Sequence, residues 1–257
     1  LPGIFSIATG FAYMSLRWSS IHADRKETKV PADEPRAKPS PSYRALLIRV
    51  SAIVFLTTAV SSIIFQATTF ALPKIFDERL QNLASDLSVW TNRIAGSGQG
   101  DIATVIGSLA FIVFAVASMA QLIVGSMLDR IGPRLVFMVV ATIQIVFFSI
   151  MPGLTDGVAL AVALGFMLGA FGQIPINDYM IGKTASGAYR ARIYGIRYVV
   201  SFTVLALALP MIAFVHQNWG FDTLFRILAS AAVVILLAVA ILPRKLPTPE
   251  VEPTVAE

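Results

Sequence analysis

The chain contains no cysteine and two histidines, and charged side chains fill only 14% of its 257 positions. Each shortage removes a class of function. Without cysteine there are no disulfide frameworks, thiolate nucleophiles, or Cys-ligated zinc or iron–sulfur sites. His22 and His216 are too few for a histidine-rich metal centre, so no metal and no cofactor are expected. Paired carboxylates and nucleophile–base sets are also missing from the apolar runs, which argues against an enzyme. An ordinary soluble domain carries about 25% charged residues. With 56% apolar side chains and a mean hydropathy of +0.74, this chain has too little polar surface to coat one, and the excess must face lipid. The net charge of +5 would suggest nucleic acid only in a soluble chain, so no nucleic-acid partner is expected.

Crossing roughly 30 Å of hydrocarbon takes about 20 helical residues. Six apolar runs satisfy that, near 45–72, 102–128, 133–151, 158–181, 193–215 and 224–242. The fold class expected is an all-α membrane protein whose six-helix transmembrane domain occupies 45–243. Residues 1–16 are apolar but short, lack a starting methionine and carry no signal-peptide features. They read as the truncated end of a preceding transmembrane helix, which makes the chain the C-terminal part of a longer protein. Residues 17–44, with Pro31, Pro35, Pro39 and Pro41 among acidic and basic side chains, read as a linker, and 244–257 as a tail. Between the first two runs, Phe76, Leu80, Leu83, Leu87, Trp90 and Ile94 recur at three- and four-residue steps. That spacing predicts an external amphipathic helix over 75–95, lying on the membrane surface with Trp90 at the interface.

Lys and Arg in short loops stay cytoplasmic. Of the 20 basic residues, 16 fall on one side of the six runs, and only Lys74, Arg79, Arg93 and Arg226 fall on the other. The linker, the turn at 129–134, the loop at 182–192 and the C-terminus are therefore expected in the cytoplasm.

The most specific string is GSMLDRIGPR at 125–134, between the second and third runs. Gly125 permits another helix to come close, Asp129 is an acceptor for a helix N-terminus or a basic side chain, and Gly132 with Pro133 turns the chain into the next helix. Arg130 and Arg134 hold the turn at anionic lipid headgroups. This G-x-x-x-D-R-x-G-x-R pattern resembles the motif that joins the second and third helices of each half in the major facilitator superfamily. Pro133 departs from it, standing where the family usually has a basic residue. The turn running from Tyr189 through Arg190 and Arg192 to Gly195 is similar to the entry of helix eleven in bacterial members. The resemblance covers nearly the whole chain, as the end of helix six, the central loop and helices seven to twelve. It implies a six-helix bundle built as two three-helix inverted repeats, half of a twelve-helix transporter working by alternating access in a bacterial inner membrane. It also implies gating by Gly125, Asp129, Arg130, Gly132 and Arg134 against a partner helix in the N-terminal half.

Polar side chains avoid lipid. Thr58, Ser62, Gln66 and Thr69 share one face of the first run, and Ser118, Gln121 and Gly125 one face of the second. Gly165, Gly169, Gly172, Gln173 and Asn177 line the fourth, and Arg197 and Ser201 the fifth. The sixth is almost purely apolar, and the third has little beyond Thr142 and Gln144. The first, second, fourth and fifth runs are thus expected to face the pore, with Gln66, Gln121, Gln173, Asn177 and Arg197 as candidate contacts of a small-molecule substrate. For each glycine, serine and threonine the competing reading is helix packing or a bond back to the helix's own backbone. Arg197 reads either as an anchor paired with Asp178 or as a contact for an anionic substrate. No carboxylate falls mid-run, so a coupled proton would titrate in the other half.

Two apparent motifs fail. Gly182-Lys183-Thr184 lacks the first glycine of a phosphate-binding loop, because Asn177 stands there, and no strand precedes it. Gly96, Gly98 and Gly100 lack the last glycine of a dinucleotide fingerprint. The function expected is secondary transport of a small molecule. The second reading is a membrane scaffold or sensor of the same fold that couples to a protein through the linker.

Overall fold

The computed structural model describes residues 41–95, 101–184 and 190–242, so the expectations for 1–16, for most of 17–44 and for the tail lie outside the described residues. Six helices follow one another: α1 (Pro41–Arg79), α2 (Gln81–Ala95), α3 (Ile102–Ile131), α4 (Pro133–Ile150), α5 (Asp156–Thr184) and α6 (Arg190–Ala240). All five apart from α2 are long and apolar enough to cross a membrane. α6, at 51 residues, is broken at Gly220, whose backbone at φ 74° and ψ 176° is not helical. It therefore supplies two apolar arms, and the protein is an all-α, multi-pass membrane bundle. The shortest crossing, α4 with 18 residues, is about 27 Å long at 1.5 Å per residue.

Polar contacts fix the direction of the helices. At one end, Arg79 at the close of α1 meets Asp222 just after the Gly220 break, and Asn82 meets Asp156 at the start of α5. At the opposite end, Arg134 at the start of α4 donates to the Ala240 carbonyl that closes α6. Successive crossings therefore alternate in direction, and the two arms of α6 run opposite ways.

α1 carries its helix through Pro73 to Arg79, and only Leu80 separates it from α2. The ladder is nearly unbroken there, since the Leu80 and Ala84 amides donate to Phe76 and Leu80 carbonyls at 2.9 and 2.7 Å. The amphipathic stretch thus begins as the last turn of α1. α2 buries Ala84 and Ser88 and leaves Val89 and Trp90 exposed.

The buried core draws on all six helices, and among α4, α5 and the second arm of α6 the rings of Phe148, Phe166 and Phe225 cluster with centroids 5.1 to 6.5 Å apart. Glycines set how closely α5 approaches its neighbours. A Cβ on Gly165 would sit 2.5 Å from the Phe147 ring, one on Gly169 2.6 Å from Gln144 Cγ, and one on Gly172 3.1 Å from Val124 Cγ2. At these three glycines α5 packs closely on its neighbours, which is the competing reading rather than the pore-lining one.

Candidate functional site

Near the middle of α1, α3 and α5, three half-buried phenylalanines meet. Phe65 stands edge-on to Phe171 at 5.3 Å, and Phe114 lies 6.2 Å from the same ring. Aromatic pairs at such offsets attract beyond their area burial. The three rings join helices taken from the set expected to face the pore, although aromatic residues in an apolar run give no sequence signal that separates a pore lining from a lipid contact.

Two of the candidate amides flank this junction on partly open surface. Gln66 follows Phe65 on α1 and is half-buried, and Gln121, two turns beyond Phe114 on the same edge of α3, is also half-buried. Ser118 on that edge is spent locally, donating to the Ala115 carbonyl at 2.7 Å. By contrast, the Thr58 and Ser61 hydroxyls are buried and, with Thr69 Oγ1, have no hydrogen-bond partner. Thr57 and Thr68 do bond back to their own helix, at 3.0 and 2.8 Å.

The other candidates lie deeper. Gln173 is 1% exposed and its amide nitrogen donates to Gln144 Oε1 at 2.6 Å, across the α4–α5 interface. Asn177, one turn further along the same face, is 5% exposed. Both sit in the inner layer of α5 rather than on its open edge, because that edge is occupied by Phe171 and Pro175. Gln144, which the sequence leaves on an otherwise apolar helix, is fully buried. The available signal was chemical, since an amide in hydrocarbon needs a partner. Arg197 is paired with Asp178, its side chain 17% exposed, so in this structure its charge is answered within the chain.

At the turn between α3 and α4, Gly132 adopts φ 84° and its amide closes α3 on the Leu128 carbonyl at 3.2 Å, with Pro133 as the first residue of α4. Asp129 and Arg130 are exposed. Arg134 reaches the Ala240 carbonyl at 2.6 Å, which satisfies one of the terminal acceptors of α6. Gly125 has nothing within 4 Å of where a Cβ would stand, so no close helix approach is made at that point within this structure.

The sequence reading missed a polar network at the far end. Asp222 accepts from Arg79 at 2.5 Å and from the Gly153 amide at 3.2 Å, and Arg79 also donates to the Leu154 carbonyl at 3.3 Å. Asp156 accepts from Asn82 and from the Leu83 amide, both at 3.1 Å, and His216 contacts Glu78 at 2.9 Å. These bonds tie α1, α2, the α4–α5 turn and the Gly220 break together.

Among models of protein families, the one described as Major Facilitator Superfamily matches residues 99–257. The comparison with curated proteins returns no match.

Proposed function

The chain belongs to the Major Facilitator Superfamily, a family of membrane transporters, and we propose on that premise that these helices form the C-terminal half of a secondary active transporter. It carries a small molecule by alternating access, with the N-terminal half of the same protein facing α1, α3 and α5 across a central site. The observation that carries the reading is the mid-depth junction of Phe65, Phe114 and Phe171, with Gln66 and Gln121 partly open beside it. A surface that mixes apolar rings with neutral amides suits a solute that must be bound and then released.

In this proposal Gln66 and Gln121 contact the substrate directly. Gln173 and Asn177 flank Pro175, a residue that interrupts the backbone ladder, and they join the site as α5 bends there. Arg197 reaches an anionic substrate only by exchanging Asp178 for it. Gly125, Asp129, Arg130, Gly132 and Arg134 form the gate, with Gly125 offering the open surface that a helix of the other half fills. The Asp129 end faces the cytoplasm, a side supported by the basic residues, and the membrane is the bacterial inner membrane that the resemblance implies. A coupled proton titrates in the N-terminal half, since among the described residues no carboxylate lies mid-span.

These 257 residues hold no cysteine to remove, so labelling needs only the other half cleared of any it carries. In the full-length protein, Gln66→Cys and Gln121→Cys should react with an impermeant maleimide from both sides of sealed vesicles, while Asp129→Cys reacts from the cytoplasmic side only. Reaction of both glutamine positions from a single side under every ion gradient tried would reject alternating access.

A further inference from the structure

We propose that Asp156 is a latch on the α1–α2 junction. Its carboxylate holds α2 apart from the end of α1, and when that hold is broken the two join into one continuous helix that runs on to Ala95.

Nothing in the sequence stops a helix at Leu80. From Lys74 to Ala95 there is neither glycine nor proline, and Arg79, Leu80 and Gln81 are all of good helix-forming type. The ladder is kept on both sides of the break, where the Leu80 amide donates to Phe76 and the Ala84 amide to Leu80. Between those two rungs, a continuous helix would join the Gln81 amide to the Asp77 carbonyl and the Leu83 amide to the Arg79 carbonyl. Side chains stand in for two of these partners. The Asp77 carbonyl accepts from Gln81 Nε2, and the Leu83 amide donates to Asp156 Oδ1 at 3.1 Å. The break is therefore held from outside the segment, by a residue 73 positions away.

Asp156 opens α5, and among the described residues it is the one residue other than glycine with a positive φ, at 53°. Aspartate tolerates that region better than most side chains, and such strain persists where surrounding contacts hold it. Its second oxygen accepts the Asn82 side-chain amide at 3.1 Å, so one carboxylate fastens two successive residues in the first turn of α2. The fully covered side chains of α2 are the small Ala84 and Ser88, which bury little apolar area. The last turn of α1 is held separately, by Asp222 and the Leu154 carbonyl through Arg79, and by His216 through Glu78. Loss of the Asp156 bonds thus frees α2 while α1 stays docked. Because Asp156 moves with the start of α5, a displacement of that helix end either draws α2 along or opens the latch.

Double electron–electron resonance on the full-length protein in lipid nanodiscs, with spin labels at Lys74→Cys and Arg93→Cys, reads the junction directly. Both positions are exposed, and an unbroken helix over the 19 residues between them would span about 28 Å. The parent should give one shorter distance. Asp156→Gly, which keeps the backbone freedom and removes the carboxylate, should move most of the distribution to the longer value. Adding Gln81→Pro, which suits the first position of α2 but blocks a continuous helix, should abolish the longer component. Gln81→Leu alone, which frees the Asp77 carbonyl without touching α5, should shift part of the distribution the same way. An unchanged single distance in Asp156→Gly, or in Gln81→Leu where the glycine variant fails to fold, would overturn the proposal. So would a longer component that survives Gln81→Pro.

Discussion

Arg79 and Asp222 meet at 2.5 Å although 143 positions separate them in the chain. The contact joins the last turn of α1 to the residue that starts the second arm of α6. Because Asp222 also accepts the Gly153 amide, one carboxylate holds three segments, and Arg79 contributes a second bond to the Leu154 carbonyl.

Replacing Arg79 with Met should destabilise the protein by about 1 kcal/mol, since the pair is partly exposed and screened by solvent. Asp222→Asn should cost a similar amount. Thermal unfolding in detergent, run as a double-mutant cycle, should show the two losses to be less than additive; full additivity would mean that the pair contributes nothing as a pair.

Gly165→Leu and Gly169→Leu should each cost about 1–3 kcal/mol through overpacking against Phe147 and Gln144. Gly107→Ala, where the structure leaves open space, is the control and should change stability by less than about 0.5 kcal/mol. Equal melting temperatures for the three variants would refute the packing role of the α5 glycines.

Gly132 and Gly220 share a backbone conformation, φ 84° with ψ 161° and φ 74° with ψ 176°, that side chains with a Cβ rarely adopt. Neither has a neighbour that a Cβ would strike. Alanine at either position should therefore cost about 1–3 kcal/mol from backbone strain alone. A loss of that size in unfolding measurements, with no change in helix content by circular dichroism, is the expected result.

Gly125→Ala and Asp129→Asn should leave the stability of these helices within about 0.5 kcal/mol of the parent, because Gly125 has open space around it and Asp129 is exposed. Flux through the full-length protein should nonetheless fall at least tenfold if the turn is a gate. Unchanged flux in both variants, at equal expression, would remove the gating assignment.

Gln66→Leu and Gln121→Leu should weaken substrate affinity with little loss of stability, whereas Gln173→Leu should lower the melting temperature first, because it strands the buried Gln144 amide. Ligand-dependent thermal shifts in the three variants separate the two behaviours.

The fold class was legible because hydrocarbon thickness and hydropathy act on whole runs of residues, and one misplaced side chain does not change the sum. The turn at Gly132–Pro133 was legible for a local reason, since its φ and its missing amide are set by residue type. Side-chain partnerships were not. Whether Gln173 points at a pore or at Gln144 depends on the rotation of α5 against α4, and a difference of one residue swings a side chain by about 100°. The same uncertainty hid the Phe65–Phe171 contact inside an apolar run. The Arg197–Asp178 pair was among the readings because unlike charges near a membrane have few other places to go. The network around Asp222 was not, since it links loops whose mutual placement appears only once the helices are packed.

Gly220 also sets the mechanics of the last two crossings. They form a bent rod with one pivot, not two rods on a string. The near limb is gripped by Asp178 through Arg197, and the pivot itself is clamped by Arg79. Asp222, two residues past the break, joins that limb to Arg79 at the tip of α1. A tilt of that limb that keeps both ion pairs therefore moves the end of α1 as well.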